Sequence, residues 1–225
     1  MQNNEKYHSL AFVTDFDGTI SDEDFFHYVS EAFFDDSALE PWNRYRAGEI
    51  SHFDALRLMY STLRVCEKEL AALIKNVHID QWVVPTFKML HDAGVPIYIA
   101  SAGCDYYINI LFGQEIKEYN AILVTNPSHY YKAQGLVMER PPKNCQYYDE
   151  AVGISKKKVV QLLQQEGRHV VFAGDGPPDI EPSRIADTVF AKKILLEKCI
   201  EEGIRTENFE GFKNIYNFFE GKLKP

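Results

Sequence analysis

Three apolar runs with almost no polar alternation punctuate the chain, at 10–14, 95–100 and 169–173. Such runs predict strands covered on both faces, as in a parallel sheet. Pro96 stands at the start of its run, where a missing N–H is tolerated. Weaker strand patterns occupy 121–125 and 188–191. Elsewhere the apolar spacing is helical. The segment 83–93 carries Val83, Val84, Phe87, Leu90 and Ala93, with Gly94 as a stop signal. Ser155 is placed to cap a helix running to 166, buried through Val159, Val160, Leu162 and Leu163 and ended by Gly167. Helix and strand thus alternate, which predicts an α/β core with a mostly parallel sheet.

One span breaks the alternation. From 22 to 81 only helical patterns occur, at 24–35, at 51–63 (Phe53, Leu56, Leu58, Met59, Leu63) and at 67–75 (Leu70, Ala71, Leu73, Ile74). That is too much helix for one crossover, so the chain divides into a core of 1–21 with 82–225 and an inserted helical subdomain of 22–81. The Tyr-, Pro- and Lys-rich stretch 126–150 reads as a hairpin or extended loop. No internal repeat is present.

Composition narrows the class of function. With 225 residues, 45% of them apolar and 13% aromatic, the chain holds one large domain, or a core with a smaller one, and is not disordered. The formal charge is 24 − 33 = −9, a poor match for a nucleic-acid backbone. Small anionic substrates remain open, because a metal ion and a lysine can reverse the sign locally. No apolar run approaches the ~20 residues of a membrane span, and 1–6 lacks the layout of a signal peptide. The cysteines Cys66, Cys104, Cys145 and Cys199 form no CxxC pair, which predicts reduced, mostly buried thiols in a cytoplasmic protein.

The candidate chemistry clusters after the strands. Asp15-Phe16-Asp17-Gly18-Thr19 follows the first, and the period of two sends Asp15 and Asp17 to the same side. Burying two repelling carboxylates requires a cation or a shared proton, so the pair predicts a hard-cation site with one acid free to react. A solvated Asp/Gly turn is the plain alternative. A calcium loop counted from Asp15 fails, with Thr19, Ile20 and Phe26 at its fifth, sixth and twelfth positions. The third strand runs into Gly174-Asp175-Gly176-Pro177-Pro178-Asp179, with carboxylates where open α/β sheets place ligands. This is not a dinucleotide fingerprint, because Asp179 replaces its last glycine, and the chain has no GxxxxGK[ST] loop. Ser101-Ala102-Gly103 ends the second strand before a short helix through Tyr107 and Leu111, and offers either an anion site or a helix cap. Lys156-Lys157-Lys158 opens the helix after Ser155, on the side of the sheet where strands end. Acids, a hydroxyl and a lysine at one sheet edge suit a phosphomonoester.

These segments, in order, resemble the motifs of the haloacid dehalogenase (HAD) superfamily of phosphohydrolases: DFDGT at 15–19, IASAG at 99–103, a lysine near 156, and GDGPPD at 174–179. The insertion after the first motif resembles the all-helical C1-type cap of the phosphoserine phosphatase-like branch. Within that branch, 97–113 and 189–217 are similar to the methionine-salvage enol-phosphate phosphatases, of whose cysteine cluster only Cys145 stands in 126–150. The resemblance implies a Rossmann-like core and magnesium-dependent hydrolysis of a small phosphorylated metabolite. It makes Asp15 the nucleophile that becomes an aspartyl-phosphate, and Asp17 the acid and base. Asp15, the Asp17 backbone carbonyl and Asp175 would hold Mg2+, with Asp179 in support. Ser101 and amides near Gly18, Ala102 and Gly103 would bind phosphate together with Lys156, or with Lys157 in its place. Thr19 and Asp24 read as orienting or structural residues, and Glu23, Phe25, Phe26, Trp42 and Arg46 are candidate contacts from the cap to the substrate, with packing as the alternative for the aromatic ones. A non-catalytic phospholigand binder, a phosphatase of protein phospho-residues and a phosphate mutase remain as alternatives, and monomer and homodimer are both open.

Overall fold

The computed structural model describes residues 9–35 and 37–223; the segment 1–6, read above as lacking a signal peptide, lies outside the described residues. In chain order the elements are β1 (Leu10–Thr14), α1 (Phe25–Phe33), α2 (Glu40–Arg46), α3 (His52–Tyr60), α4 (Glu67–Ile74), α5 (Val83–Asp92), β2 (Ile97–Cys104), α6 (Asp105–Glu118), β3 (Ile122–Asn126), β4 (Ser128–Tyr131), β5 (Gly135–Met138), β6 (Tyr148–Asp149), β7 (Gly153–Ile154), α7 (Lys156–Gln165), β8 (His169–Gly174), α8 (Ile180–Ser183), β9 (Thr188–Ala191), α9 (Lys193–Glu202) and α10 (Phe212–Leu223), with a 3-10 turn at Pro177–Asp179.

All five expected strands form one parallel sheet in the order β3-β2-β1-β8-β9. The central strand β1 pairs Phe12 with Ile97 of β2 and with Val171 of β8. Its side chains alternate between two buried layers, as the period of a strand requires. Phe12 meets Phe212 and Phe219 of α10 edge-on at 6.2 and 5.4 Å. Ala11 and Val13 enter the opposite layer with Val159, Val160 and Leu163 of α7. Both faces are therefore covered, which is why the strands read as unbroken apolar runs. Connections proceed from β1 through β2 to β3 and then return to the other side of β1, so the sheet has a switch point between β1 and β2 on one hand and β8 on the other. The crevice beyond the strand ends at such a point is where α/β sheets bind ligands.

The insertion after β1 is all helical, as expected, but its helices are shorter than the apolar patterns suggest. The pattern at 51–63 yields only α3, which Ser51 caps by accepting the Asp54 N–H at 3.1 Å. The helix α2 escapes pattern reading because none of its residues is fully buried. Conversely, α6 is a full helix, not a short one; only Tyr107, Ile108 and Phe112 are buried along it, so its apolar stripe is narrow. The cysteines are unpaired, but only Cys104 and Cys199 are buried, while Cys145 is half-buried and Cys66 exposed. Among the described residues no helix is long and apolar enough to cross a membrane.

The stretch 126–150 contains an antiparallel hairpin, β4–β5, which leaves the main sheet and lies on α3. Tyr130 donates its hydroxyl to the Val65 carbonyl beyond α3. Arg140 lies 4.1 Å over the Phe53 ring and donates to Asp54 Oδ2 (3.1 Å) and to the Glu150 carbonyl (3.0 Å). Gly135 makes the closest approach: its φ is +71°, and a Cβ there would stand 2.6 Å from the Tyr60 carbonyl and 2.7 Å from that of Leu63. Gly135→Ala is therefore expected to cost about 1–3 kcal/mol, from left-handed strain and the clash together. Urea denaturation of the two proteins tests this, and equal midpoints would mean that the hairpin is not seated on α3.

Candidate active site

The ends of β1, β2 and β8 deliver the acids and hydroxyl to one place, and glycines make the room. After β1 the chain turns sharply at Gly18, whose φ is +68° and where a Cβ would stand 2.2 Å from Asp175 Oδ2. The Gly18 amide, expected to face an anion, instead donates to Ser21 Oγ at 3.2 Å, so the contribution visible here is space. At the end of β8, Gly174 does the same for Asp179, whose Cγ would lie 2.5 Å from a Cβ. The β2–β3 register shifts between Ala100 and Cys104, lifting Ser101, Ala102 and Gly103 out of the regular ladder. Ser101 Oγ then accepts the Gly103 N–H at 3.0 Å.

Two environments result for the two acids of the first motif. Asp15 is nearly inaccessible, and its Oδ1 accepts the Phe16 N–H (2.7 Å) and the Lys156 ammonium (2.7 Å). Lys156 reaches equally to Asp179 Oδ1 at 2.6 Å. Asp179 is fully buried; its Oδ2 accepts the Asp175 and Gly176 N–H groups at 3.1 and 3.0 Å, so it supports the loop from behind. Lys157, the alternative lysine, points away to Glu181 at 2.8 Å. Asp17 turns from this cluster. Its Oδ1 accepts the Phe25 N–H (3.0 Å), and its Oδ2 accepts the hydroxyls of Ser101 (3.2 Å) and Tyr107.

The electrostatics follow from burial. Desolvation, then repulsion from Asp179, pushes the Asp15 carboxyl well above the ordinary range against the pull of Lys156. Asp175 is raised by burial and by Asp179. Burial also raises Asp17, to about 6; Asp24 adds to the rise, and the bonds from Tyr107, Phe25 and Ser101 oppose it. Burial disfavours the charge on Lys156, but Asp15 and Asp179 outweigh it and hold the ammonium above its usual value. Asp15, Asp175 and Asp179 each offer an oxygen within 4.8 Å of the others. Against these three carboxylates stand the paired Lys156, the half-exposed Lys193 3.1 Å from Asp175 Oδ2, and Lys192, which also feels Asp175 and Asp15. A hard, oxygen-only donor set fits a divalent cation such as Mg2+.

Three neighbours lie outside the four motifs. Lys193 opens α9 at φ +50°, two residues beyond the end of β9. Tyr107 reads in sequence as one more apolar helix position. His52, at the start of α3, has a buried Nδ1 with no partner and packs edge-on to Trp42 (5.8 Å) and Tyr45 (5.2 Å). Burial first, and Lys156 second, push its pKa down to about 4.

The residues expected to meet substrate do not converge as a set. Phe25 is buried between Tyr60 and Tyr107, so its ring packs and its N–H alone reaches the site. Phe26 stacks on Trp42 at 4.6 Å, Glu23 is exposed beside His27 at 3.2 Å, and Arg46 is exposed at the end of α2. Thr19 is buried and its hydroxyl has no partner. A cleft of about 800 Å³ runs past Thr19, Ser21, Asp80, Trp82 and Lys192, beside the carboxylates and not over them.

No family model matches the chain. Over 213 residues it is 24% identical to the 2-hydroxy-3-keto-5-methylthiopentenyl-1-phosphate phosphatase of Bacillus cereus (strain G9842), covering 93% of this chain and 95% of that one. Over 223 residues it is 27% identical to Pdp3-interacting factor 1 of Schizosaccharomyces pombe, covering 92% and 93%. A solved phosphoserine phosphatase carrying a phospho-aspartyl intermediate analogue superposes with a TM-score of 0.65 at 17% identity, covering 93% of this chain and 98% of its own.

The depressed pKa of His52 sets a stability prediction. Below the unfolded value of about 6.5 the unfolded chain binds a proton that the folded one does not accept until about 4. His52 therefore removes stability as pH falls through that window, whereas the raised buried carboxylates act in the opposite sense. In thermal melts from pH 7 to 4, His52→Phe should lose less stability than the wild type; parallel curves would show that the imidazole protonates freely in the folded protein.

Proposed function

We propose that this chain, a haloacid dehalogenase-superfamily phosphatase of the phosphoserine phosphatase-like branch, hydrolyses a small phosphomonoester through an aspartyl-phosphate and depends on Mg2+. The observation that carries this reading is the division of labour between Asp15 and Asp17. One is paired to Lys156 inside an acid cluster, and the other is held apart by neutral donors with its pKa raised to about 6. A pair of acids in such contrasting settings suits nucleophile and proton carrier.

In this mechanism Lys156 and the amide of Ala102 hold the phosphoryl oxygens, while the Ser101 hydroxyl and the Gly103 N–H, expected there too, stay with Asp17 Oδ2 and Ser101 Oγ. Asp15 Oδ1 is committed to Phe16 and Lys156, which leaves Oδ2 to attack phosphorus. As the Oδ2–P bond forms and the ester P–O bond breaks, Asp17 gives its proton to the departing oxygen. Asp17 then takes a proton from water as that water attacks phosphorus, and the Asp15 carboxylate is restored with release of phosphate. Asp15, the Asp17 backbone carbonyl and Asp175 would hold the Mg2+, with Asp179 fixing their loop. When bound, the ion supplies positive charge that draws the phosphate to Asp15 and offsets the charge building on its oxygens.

The segment 22–81 acts as a cap over a core of 1–21 and 82–225. Asp15 and Lys156 are almost wholly buried, so substrate enters when the cap lifts. On this reading the stacked Phe26–Trp42 pair, buried at Phe26 and half-buried at Trp42, meets the leaving group together with Glu23 and Arg46 as the cap closes. The small size of the substrate is supported by the B. cereus relative, whose name specifies a small phosphorylated metabolite.

Release of inorganic phosphate from a panel of phosphorylated metabolites, with Mg2+ and with EDTA, tests the proposal. Turnover should require the metal and vanish in Asp15→Asn; retained turnover in that variant would overturn the assigned nucleophile. Independently of activity, saturating Mg2+ should stabilise the wild type by about 2.7 kcal/mol at a hundredfold excess over Kd. Asp175→Asn should abolish that shift, and a shift that persists would remove Asp175 from the metal site.

A further inference from the structure

Tyr107 is the third residue of α6 and is 1% exposed. Its ring is clamped by stacking on Phe25 (4.2 Å between centroids, 19° between planes) and by the edge of Phe16 at 6.1 Å. Ring packing alone would be satisfied by phenylalanine. The hydroxyl, however, donates to Asp17 Oδ2, and a buried phenol needs such a partner. The backbone is shaped around this contact. A Cβ on Gly103 would stand 2.0 Å from the Tyr107 hydroxyl and 3.1 Å from Asp17 Oδ2, so only glycine leaves the two room to meet.

We propose that Tyr107 is the positioning residue for the proton carrier: its hydroxyl fixes Asp17 so that Oδ1, not Oδ2, exchanges the proton with the leaving group and the attacking water. This rests on the acid–base role given to Asp17 above. A carboxylate has about four acceptor sites. At Oδ2 two are filled, by Ser101 and Tyr107; at Oδ1 one is filled, by the Phe25 N–H. The remaining site is on Oδ1. Phe25 both stacks on Tyr107 and binds Asp17, so the first residue of the insertion's first helix and the first turn of α6 hold the same carboxylate from opposite sides. Tyr107 touches no reacting atom and acts only through Asp17.

The test is Tyr107→Phe in the full chain with Mg2+, which removes the hydroxyl and keeps the ring. Two leaving groups are compared: an alkyl phosphate that the wild type hydrolyses, whose departing oxygen must be protonated, and p-nitrophenyl phosphate, whose departing oxygen need not be. A misplaced acid should lower kcat on the alkyl ester about 10- to 100-fold, with KM within about threefold. The pre-steady-state burst of p-nitrophenol should stay within about threefold of wild type. Incorporating 3-fluorotyrosine at position 107, which restores a hydroxyl, should recover the alkyl rate. An unchanged alkyl rate, a burst that falls as far as the alkyl rate, or a fluorotyrosine protein as slow as Tyr107→Phe would each overturn the proposal. Asp17→Asn separates the levels. If it is inactive while Tyr107→Phe is normal, only the role of Tyr107 falls; if it turns over normally, the acid–base reading falls with it.

Discussion

A single buried ammonium holds the site together. Lys156 lies between Asp15 and Asp179, at 2.7 and 2.6 Å, in surroundings that exclude water. Removing three charges from water costs several kcal/mol per ion, and only close pairing with full hydrogen bonding recovers it. Asp179 meets that condition through the Asp175 and Gly176 N–H groups, and Asp15 through its neighbour Phe16. The ammonium thus ties the start of α7 to the loop after β8 and to the end of β1. It fixes the relative position of three chain segments that are remote in sequence.

The glycines of the motifs express the same constraint in steric form. At Gly18, Gly103 and Gly174 an added Cβ would collide with Asp175, with the Tyr107 hydroxyl and with Asp179, respectively. Each leaves volume for a polar side chain: at Gly18 one from a remote segment, at Gly103 and Gly174 one from a few residues further along the chain. The acids can therefore crowd together at the switch point of the sheet, where the backbone is already turning away from the ladder. Burial first, and repulsion from Asp179 second, raise the Asp15 and Asp175 carboxyls; burial raises Asp17 as well, but its partners are the neutral donors Tyr107, Phe25 and Ser101. One fold feature thus produces an electrostatic contrast between two acids only two residues apart.

The helical insertion is fastened by the hairpin β4–β5, with Gly135 against the end of α3 and Arg140 clasping Phe53 and Asp54. Phe25 adds a second link by binding Asp17 through its N–H. Together these contacts hold α3 so that His52 lies close enough to feel Lys156 and Asp179.

Local pattern determined much of this protein. The five parallel strands, the helical insertion and the motif residues Asp15, Asp17, Ser101, Asp175 and Asp179 are legible because each depends on short-range facts: unbroken apolar runs, a period of two, and acids and glycines at strand ends. Only the tertiary structure decided between Lys156 and Lys157, since both open the same helix and a difference of one position rotates the side chain from the acid cluster toward Glu181. It alone showed that Phe25 packs and does not line a surface, that the Gly18 amide is taken by Ser21, and that Lys193, His52 and Tyr107 adjoin the site. None of these three belongs to a motif, because what distinguishes each is a contact with another segment of the chain. Long-range contact, unlike periodicity, leaves no mark on a single chain.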